Sequence, residues 1–398
     1  MYHFDAEKTE SPRGVHLLSA SVLLLTGLGL VTLYSSSYAF AGRFFNDSYH
    51  FIFRQSIFGA GGIVLFFIAS IINLEIVRKL IKPLVALAAL LCALTLIPGI
   101  GVERLGASRW IKIGSYTYQP SEMVKLVLPL YLAHILAKKQ DGIYSFRYGV
   151  FPPVFITGIF FLLIYAQNNF STAIFIVLNA MVIFFLAGVR FRYFFAAIVM
   201  FVPLSALLIF TKEHRVRRLL SFIKPEWDPL GAGFQVRSSL LTIISGGFWG
   251  KGIGQGTRKI ASVPEIHSDF IFSAFAEEAG FIGVLLFFIL FAIFAVQGYR
   301  GAWRSDSVFK KLLASGLVTM IVSQALLNVA VVSGAVPATG IPLPFFSAGG
   351  SSLATTLICA GLIVNVARRG REEAAPGDIE NFRDEAVRFS PLEGQDVR

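Results

Sequence analysis

One carboxylate, Asp269, lies near the end of the polar interval 211–278, directly before the aromatic run Phe270-Ile271-Phe272. An acid placed where a chain returns from water to a membrane surface is a candidate for proton transfer. Ser268 and Asp269 are also good N-cap residues for a following helix, so helix capping is the alternative. His267, two residues before the acid, could tune or orient it, or be an ordinary surface residue.

Other polar side chains of the same interval extend this candidate site. Glu277 and Glu278 follow Asp269 after about two helical turns, either as supporting residues or as the water-facing end of that helix. Arginines and lysines suit phosphate and pyrophosphate, because guanidinium groups pair with phosphate oxygens in a bidentate manner. Anionic lipid headgroups are the alternative ligand for these cations: Arg215, Arg217, Arg218, Arg258 and Lys259.

Six glycines lie between Gly246 and Gly256. Glycine permits positive φ angles and close backbone approach, which suits a loop folded against a ligand headgroup. The run lacks the Gly-Lys-Ser/Thr ending of a P-loop, and it does not follow a strand as a dinucleotide fingerprint does. Binding of a soluble nucleotide is therefore disfavoured.

Two further segments carry polar residues next to apolar runs. Arg109 precedes a helix that Pro120 begins, and Glu122 and Lys125 lie one turn apart on that helix, where they can neutralise each other. Such a pair is a structural element or a cavity wall more readily than a catalyst. The segment from Asn328 to Ser352 ends one span and begins another, and its prolines and glycines predict an irregular external turn lining the same chamber as Asp269.

Composition excludes several other classes of site and places the chain in a membrane. The 398 residues are 55% hydrophobic and 15% charged, with a mean hydropathy of +0.69, whereas about a quarter of residues are charged in soluble proteins. No His/Cys cluster supports zinc, and Ser351 lies in no Gly-x-Ser-x-Gly elbow. The net charge of +11 follows from short loops between apolar runs rather than from nucleic-acid binding.

Hydropathy predicts an all-α polytopic membrane protein with ten transmembrane helices, since a span needs about 20 apolar residues. The predicted spans are 15–37, 51–74, 80–98, 120–138, 148–167, 171–189, 191–211, 279–299, 311–336 and 344–367. The first is expected to be a retained span rather than a cleaved signal peptide. We expect a short N-terminal tail at 1–14, a membrane domain at 15–370 and a disordered tail at 371–398.

The short loops that contain most of the basic residues all fall on the side of the termini, which the positive-inside rule makes cytoplasmic. The large loop 211–278, between spans 7 and 8, is then external, where long loops translocate regardless of charge. The loop 99–119, with Arg104, Arg109 and Lys112, is an exception to this charge bias, and such an exception can mark function.

These segments together resemble the SEDS family of bacterial membrane proteins (shape, elongation, division and sporulation), which includes FtsW and RodA. The resemblance covers about residues 15–370, and the segment 254–259 is more similar to the FtsW branch. Two positions depart from the pattern: Asn169 replaces an expected aspartate and Ala348 an expected tyrosine. The segments that carry it are Arg109-Trp110, Gln119 to Glu122 with Lys125, Arg217-Arg218, Asp228-Pro229 with Gln235 and Ser238, Gly246 to Gly254, Pro264 to Phe272 with Glu277-Glu278, and Pro337 to Ser352.

The resemblance implies a peptidoglycan glycosyltransferase in the bacterial cytoplasmic membrane that polymerises lipid II on the external face. Its implied partners are a class B penicillin-binding protein and other divisome or elongasome proteins. It favours Asp269 as the general base, with pyrophosphate neutralised by some of Arg109, Lys125, Arg215, Arg217, Arg218 and Lys259. The supporting candidates are Glu122, His267, Gln235, Ser238, Glu277, Glu278 and Ser351. A divalent cation, Mg or Mn, would leave no mark in the sequence.

A transporter that moves a lipid-linked precursor between leaflets is the alternative function, and a scaffold for division proteins is a third. A transporter places its polar residues around the membrane midplane. Here the polar residues collect on one external side, which favours the enzyme.

Overall fold

The computed structural model describes residues 13–104, 106–114, 116–224, 227, 231–256 and 268–372. The predicted tails 1–14 and 371–398 therefore lie almost wholly outside the described residues. So do Arg258, Lys259, His267 and the pair Asp228-Pro229.

The described part of the chain is a helical membrane protein, and its long helices follow the predicted spans in order. They are α1 (Arg13–Phe45), α2 (His50–Ile71), α3 (Leu74–Leu94), α4 (Pro120–Lys138), α5 (Phe151–Ala166), α6 (Phe170–Leu186), α7 (Phe191–Phe210), α10 (Ile271–Trp303), α11 (Val308–Val332) and α12 (Gly350–Glu372). Two shorter helices, α8 (Glu213–Ile223) and α9 (Ala232–Gly246), lie between α7 and α10.

Seven helices in the described residues are long and apolar enough to cross a membrane by length and composition alone. The remaining three long helices are α3, α4 and α6. The charged residues of α3 all lie in its first half, and α6 has 17 residues. In α4 the charged pair Glu122 and Lys125 is buried inside the protein, so it does not face lipid.

A small sheet occupies the segment that we predicted to be a loop, 99–119. Its strands, β1 (Gly101–Arg104), β2 (Ala107–Ile113) and β3 (Tyr116–Tyr118), are antiparallel in the order β1-β2-β3. Lys112 pairs with Thr117 in this sheet. The alternation Trp110-Ile111-Lys112-Ile113 has the two-residue period of a strand, but the strands are too short to stand out among ten strong helical signals.

The helices α2 and α12 pack closely together at Gly361. A Cβ at Gly361 of α12 would lie 2.4 Å from the Phe66 carbonyl oxygen, so only hydrogen fits there. Asn365, one turn later, donates from Nδ2 to the carbonyls of Ala69 and Ile72, each at 2.8 Å. Small residues and buried amides of this kind hold helices together in lipid, where hydrophobic association is absent.

The helix α10 is two helices joined at Gly280, whose φ of 64° and ψ of −168° are not helical. The part before it, 271–279, packs on the glycine-rich run, and the part after it, 281–303, corresponds to the predicted span. The positive φ is one that non-glycine residues rarely adopt, and a Cβ there would lie 2.1 Å from the Gly250 nitrogen. This kink separates the segment that follows Asp269 from the rest of the span.

We expect Gly361→Ala to destabilise the protein by about 1–3 kcal/mol, the usual cost of forcing an extra methyl into a packed contact. The methyl would displace α12 from α2 and lower Tm by several degrees, measured by thermal denaturation in detergent.

Gly61→Ala is the matched control, because it lies on α2 with no atom within 4 Å of a Cβ placed there. Its Tm should stay the same or rise slightly, since alanine favours a helix over glycine by about 0.5–1 kcal/mol. Equal Tm values for the two variants would show that the α2–α12 contact does not limit stability.

Candidate active site

A cavity of about 280 Å³ opens beside Asp269. Its wall is formed by α8, the start of α9, the beginning of α10, the end of α11 and the segment between α11 and α12. The lining residues are His214, Arg217, Arg218, Gly231, Gln235, Asp269, Phe270, Asn328, Val331, Ala338, Gly340 and Ile341. The predicted convergence of the 211–278 interval with the 337–352 turn is therefore confirmed.

The Asp269 side chain lies against the backbone of the turn. Its Oδ2 atom would be 3.3 Å from a Cβ placed on Gly340, which has a φ of 69°. The N-cap of α10 is Phe270, with no side-chain cap bond, so Asp269 is not the capping residue that the alternative required. Its carboxylate is instead part of the cavity wall.

Arginines set the electrostatic potential around this carboxylate. Burial lowers the pKa of Arg109, the positive charge of Arg218 lowers it further, and the nearby Asp269 partly reverses this. Burial likewise lowers the pKa of Arg218, and Asp269 opposes the shift. Arginine stays protonated even so, and the cavity holds more positive than negative charge among its described lining residues.

Arg109 also ties the sheet to the turn between α5 and α6. Its Nη2 donates to the Asn168 carbonyl, and Asn168 Nδ2 donates to the Gly106 carbonyl at 2.8 Å. Asn168 has a φ of 56°, a conformation that asparagine tolerates better than most residues. The neighbouring Asn169, the predicted departure from the family pattern, is buried at the start of α6.

Of the remaining basic candidates, Arg217 lies at the cavity and Arg215 does not. Arg217, at the cavity, is 70% exposed and pairs with Glu213 at 2.8 Å. Arg215 is buried and does not line the cavity; its Nη1 donates to the Tyr165 hydroxyl at 3.1 Å and the Leu208 carbonyl at 2.8 Å. This arrangement fixes α8 on the ends of α5 and α7.

Lys125 and Glu122 form the predicted pair, with 2.7 Å between Nζ and Oε2 and both side chains 4% exposed. Lys125 also donates to Gln324 Oε1 at 3.1 Å, and Gln324 Nε2 donates to the Pro342 carbonyl at 2.8 Å. Gln324 thus connects the pair to the segment between α11 and α12, which contacts Asp269. The pair itself does not line the cavity. This geometry fits a structural role for the pair rather than a catalytic one.

Glu277 and Glu278 are buried, so the water-facing alternative for them is wrong. Glu277 accepts hydrogen bonds from Lys251 Nζ at 2.6 Å and Ser245 Oγ at 3.1 Å. Glu278 accepts from Ser35 Oγ and from the Gly254 amide. Both carboxylates hold the glycine-rich run on α10, outside the cavity wall.

Two glycines of the glycine-rich run, Gly246 and Gly250, pack on protein backbone. A Cβ at Gly246 would lie 2.3 Å from the Ala276 carbonyl oxygen, and one at Gly250 2.2 Å from that of Glu278. The amides of Lys251 and Gly252 donate to the carbonyls of Glu277 and Glu278, each at 3.0 Å. Close backbone approach to the first part of α10 therefore explains the glycines at these two positions.

The roles of the residues that position Asp269 were not predicted from the sequence, although Asn328 and Ser347 lie in the segment 328–352. Asn328 Nδ2 donates to the Asp269 carbonyl and to the Ile341 carbonyl, each at 2.9 Å. Ser347 Oγ donates to the Ser268 carbonyl at 2.6 Å, and Gln55 donates to the Ser347 carbonyl at 3.1 Å. The available signal was an amide side chain inside an apolar run, which in a membrane is rarely without a partner.

Some of the supporting candidates line the cavity and others do not. Gln235 lines the cavity, whereas Ser238 is buried within α9 and Ser351 lies in the first turn of α12. Asp269 is the carboxylate of the cavity lining within the described residues. A divalent cation bound there would use Asp269 and take its other ligands from water and substrate oxygens.

The chain is similar in sequence and in fold to proteins of a known family. The profile of the FtsW/RodA/SpoVE family, described as "cell cycle protein", matches residues 15–372. The chain belongs to this family.

Relatives of known name extend along almost the whole chain. A probable peptidoglycan glycosyltransferase FtsW of Geobacter sp. (strain M18) is 37% identical over 88% of this chain and 96% of its own length. Stage V sporulation protein E of Bacillus subtilis (strain 168) is 38% identical over 89% of this chain and 97% of its own length.

Solved structures show the same fold. A chain of a peptidoglycan synthase complex, described as "Structural coordination of polymerization and crosslinking by a peptidoglycan synthase complex", matches with a TM-score of 0.72 and 29% identity, over 91% of this chain and 99% of that one. Thermus thermophilus RodA matches with a TM-score of 0.64 and 26% identity, over 88% and 95%.

We expect Asn328→Leu to loosen the turn that holds Asp269, because the Asp269 and Ile341 carbonyls lose their donor. Two bonds of about 1 kcal/mol each predict amide exchange roughly 5- to 30-fold faster in peptides from 337–349, measured by hydrogen–deuterium exchange mass spectrometry. Asn179→Leu is the control, since Asn179 Nδ2 donates within its own helix to the Phe175 carbonyl. Unchanged exchange in the Asn328 variant would contradict the positioning role.

His214 supplies a pH-dependent charge at the cavity. Burial and then the charges of Arg215, Arg218, Arg109 and Lys212 lower its pKa. The folded protein thus binds this proton less readily than the unfolded chain, and stability is lost as pH falls below about 6.5. We expect Tm to fall less between pH 7.5 and pH 5.5 in His214→Gln than in the parent protein; identical pH profiles would contradict the assignment.

Proposed function

We propose that this protein is a peptidoglycan glycosyltransferase that polymerises lipid II, with Asp269 as the general base. The observation that carries the proposal is one carboxylate facing a cavity whose other charged lining residues are arginines. Membership of the FtsW/RodA/SpoVE family and the names of the relatives support the same reaction.

The reaction needs one base and a cationic site. An acceptor sugar hydroxyl attacks the anomeric carbon of the donor, its oxygen forms the new glycosidic bond, and the bond from that carbon to the pyrophosphate oxygen breaks. The hydroxyl proton passes to Asp269. The leaving group is an anion that needs no proton, so the second carboxyl of a glycosidase is unnecessary.

The arginines of the cavity fit the departing pyrophosphate. Arg217 and Arg218 lie on adjacent positions of α8 and both line the cavity, and Arg109 lies close enough to Arg218 and Asp269 to be influenced by both charges. Charge placed beforehand where negative charge develops is usually the largest catalytic contribution. A bound divalent cation would share this neutralisation.

Lys125 and Arg215 are assigned a positioning role rather than contact with the substrate. Their nitrogen atoms are already bonded to Glu122 and Gln324 in one case and to Tyr165 and Leu208 in the other. Both position segments that form the cavity wall, so substrate contact is assigned to Arg109, Arg217 and Arg218. Lys259 remains a candidate for substrate contact.

The cavity is assigned to the external face and both termini to the cytoplasm. This orientation rests on the positive-inside bias of the short loops. A class B penicillin-binding protein is the proposed partner, which the structurally similar synthase complex supports, since its description couples polymerisation to crosslinking. The identities of 37% and 38% with FtsW and stage V sporulation relatives favour a role in division or sporulation.

The decisive experiment incubates the purified protein with lipid II, alone and with its penicillin-binding partner, and measures glycan strands by gel electrophoresis. Loss of a general base predicts a rate about 100- to 10,000-fold lower for Asp269→Asn. Asp306→Asn is the matched control, because Asp306 is exposed beyond the far end of α10 and should leave the rate unchanged.

A folded Asp269→Asn protein with near-normal polymerisation would refute the general-base assignment. If the parent protein with its partner made no polymer while vesicles containing it moved lipid II between leaflets, the transporter alternative would replace the enzyme.

A further inference from the structure

The segment 247–253 presents an exposed apolar surface beside the start of the second part of α10. Its three large apolar side chains are largely exposed, Phe248 at 56%, Ile253 at 71% and Trp249 at 79%. We call this segment the aromatic loop. Apolar side chains that are exposed next to one another mark a surface that binds a protein or a membrane.

Backbone hydrogen bonds fix the aromatic loop on the kink of α10 at Gly280. The amides of Phe281 and Ile282 begin the second part of this helix. They donate to the carbonyls of Gly247 and Phe248, at 3.0 and 3.3 Å respectively. The first amides of a helix have no partner inside that helix, so the loop supplies what the kink removes. The Phe248 ring also stacks on the Phe281 ring, with 5.6 Å between centroids, so the loop lies at the level of Phe281.

The one charged residue of the aromatic loop, Lys251, is neutralised by the protein. Its Nζ atom lies 2.6 Å from Oε1 of Glu277, whose side chain is buried. The amides of Lys251 and Gly252 donate to the two carbonyls that end the first part of α10, each at 3.0 Å. Unpaired charges and unsatisfied backbone groups are costly in a bilayer. Pairing them inside the protein therefore suits a loop that enters the membrane surface.

Helix length sets the level of Phe281 in the membrane. The 19 residues from Phe281 to Tyr299 carry no charge, and the exposed Arg300 follows them. At about 1.5 Å per residue they extend over about 28 Å, close to the roughly 30 Å of the hydrocarbon core. With Arg300 among the headgroups of one leaflet, Phe281 lies at the headgroup boundary of the other. The aromatic loop, which stacks on Phe281, lies at that boundary too.

We propose that the aromatic loop is a membrane anchor, bound at the boundary of headgroups and acyl chains in the leaflet on the side of the Asp269 cavity. Tryptophan is enriched at this level, because its ring is apolar and its N–H reaches polar partners, which suits Trp249. The surface continues into the lipid-facing side of the adjoining span, where Leu285 is half-exposed. Because the loop is bonded to the segment 271–279, the anchor fixes the depth of the helix that follows Asp269.

The test measures the depth of the loop and does not depend on the proposed enzyme activity. Trp249→Cys and Ile253→Cys are spin-labelled separately in the full chain, in which the native Cys92 and Cys359 are buried and therefore inert. The proteins are placed in phosphatidylcholine nanodiscs. Electron paramagnetic resonance then compares collisions of each label with oxygen, which concentrates among acyl chains, and with a water-soluble nickel chelate. We expect collisions with oxygen to exceed those with the chelate several-fold at both positions.

Two control positions calibrate the depth scale. Leu285→Cys lies one turn after Phe281 on the span and should report acyl chains. Glu213→Cys lies in the first turn of α8, where the glutamate side chain is 79% exposed, and should report water. The two loop labels should give values on the acyl-chain side of the midpoint between these controls. Tm measurements confirm that all variants are folded.

An excess of chelate collisions at either loop position would place the loop in water and overturn the proposal. Few collisions with both reagents would overturn it as well, and a doubled particle mass would then assign the surface to a second copy of the protein. The measurement is repeated with the proposed penicillin-binding partner. An oxygen excess that persists supports the anchor, whereas protection from both reagents only in the presence of the partner would assign the surface to that protein instead.

Discussion

The geometry around Asp269 depends on how the backbone between α11 and α12 satisfies its hydrogen bonds. This segment is neither helix nor strand, and irregular backbone between spans is stable only when protein or water supplies the missing partners. Side chains from two helices do so: Gln55 of α2, and Gln324 and Asn328 of α11, donate to its carbonyls. Because Asn328 and Ser347 also donate to the carbonyls of Asp269 and Ser268, the same bonds that stabilise the turn position the carboxylate.

Local signals predicted much of this arrangement. Ten apolar runs of sufficient length predicted the helices, and the three-residue spacing of Glu122 and Lys125 predicted their pair, because both signals lie within one helix. The convergence of Asp269 with the 337–352 turn followed from their common predicted side of the membrane. The sheet at 101–118 was missed because its strands are very short, and the position of Asn328 beside Asp269 was missed because no local pattern specifies a contact between residues 59 positions apart.

The cationic candidates show where residue type alone is insufficient. Arginines 215, 217 and 218 are nearly adjacent in sequence, yet helical geometry places Arg217 and Arg218 at the cavity and turns Arg215 towards Tyr165 and Leu208. Residue type alone is also insufficient for the glycine-rich run. Glycine is required both where a ligand approaches the backbone closely and where another segment of backbone does. Gly250 and Gly280 resolve it here, because a Cβ on Gly280 would meet the backbone of Gly250, and a Cβ on Gly250 would meet that of Glu278 and Ala279.

The α2–α12 contact has a consequence for the order of events during synthesis. Gln55 bonds to a residue 292 positions later, and Asn365 bonds to a carbonyl 296 positions earlier. At roughly 5–20 residues per second, the ribosome needs about 15–60 s to make that stretch. Throughout this interval α2 is in the membrane while the buried amide of Gln55 lacks its native partner. The segment at Ser347 and then α12 therefore complete the contacts of α2, and a chain that stops before residue 347 leaves Gln55 without its native partner.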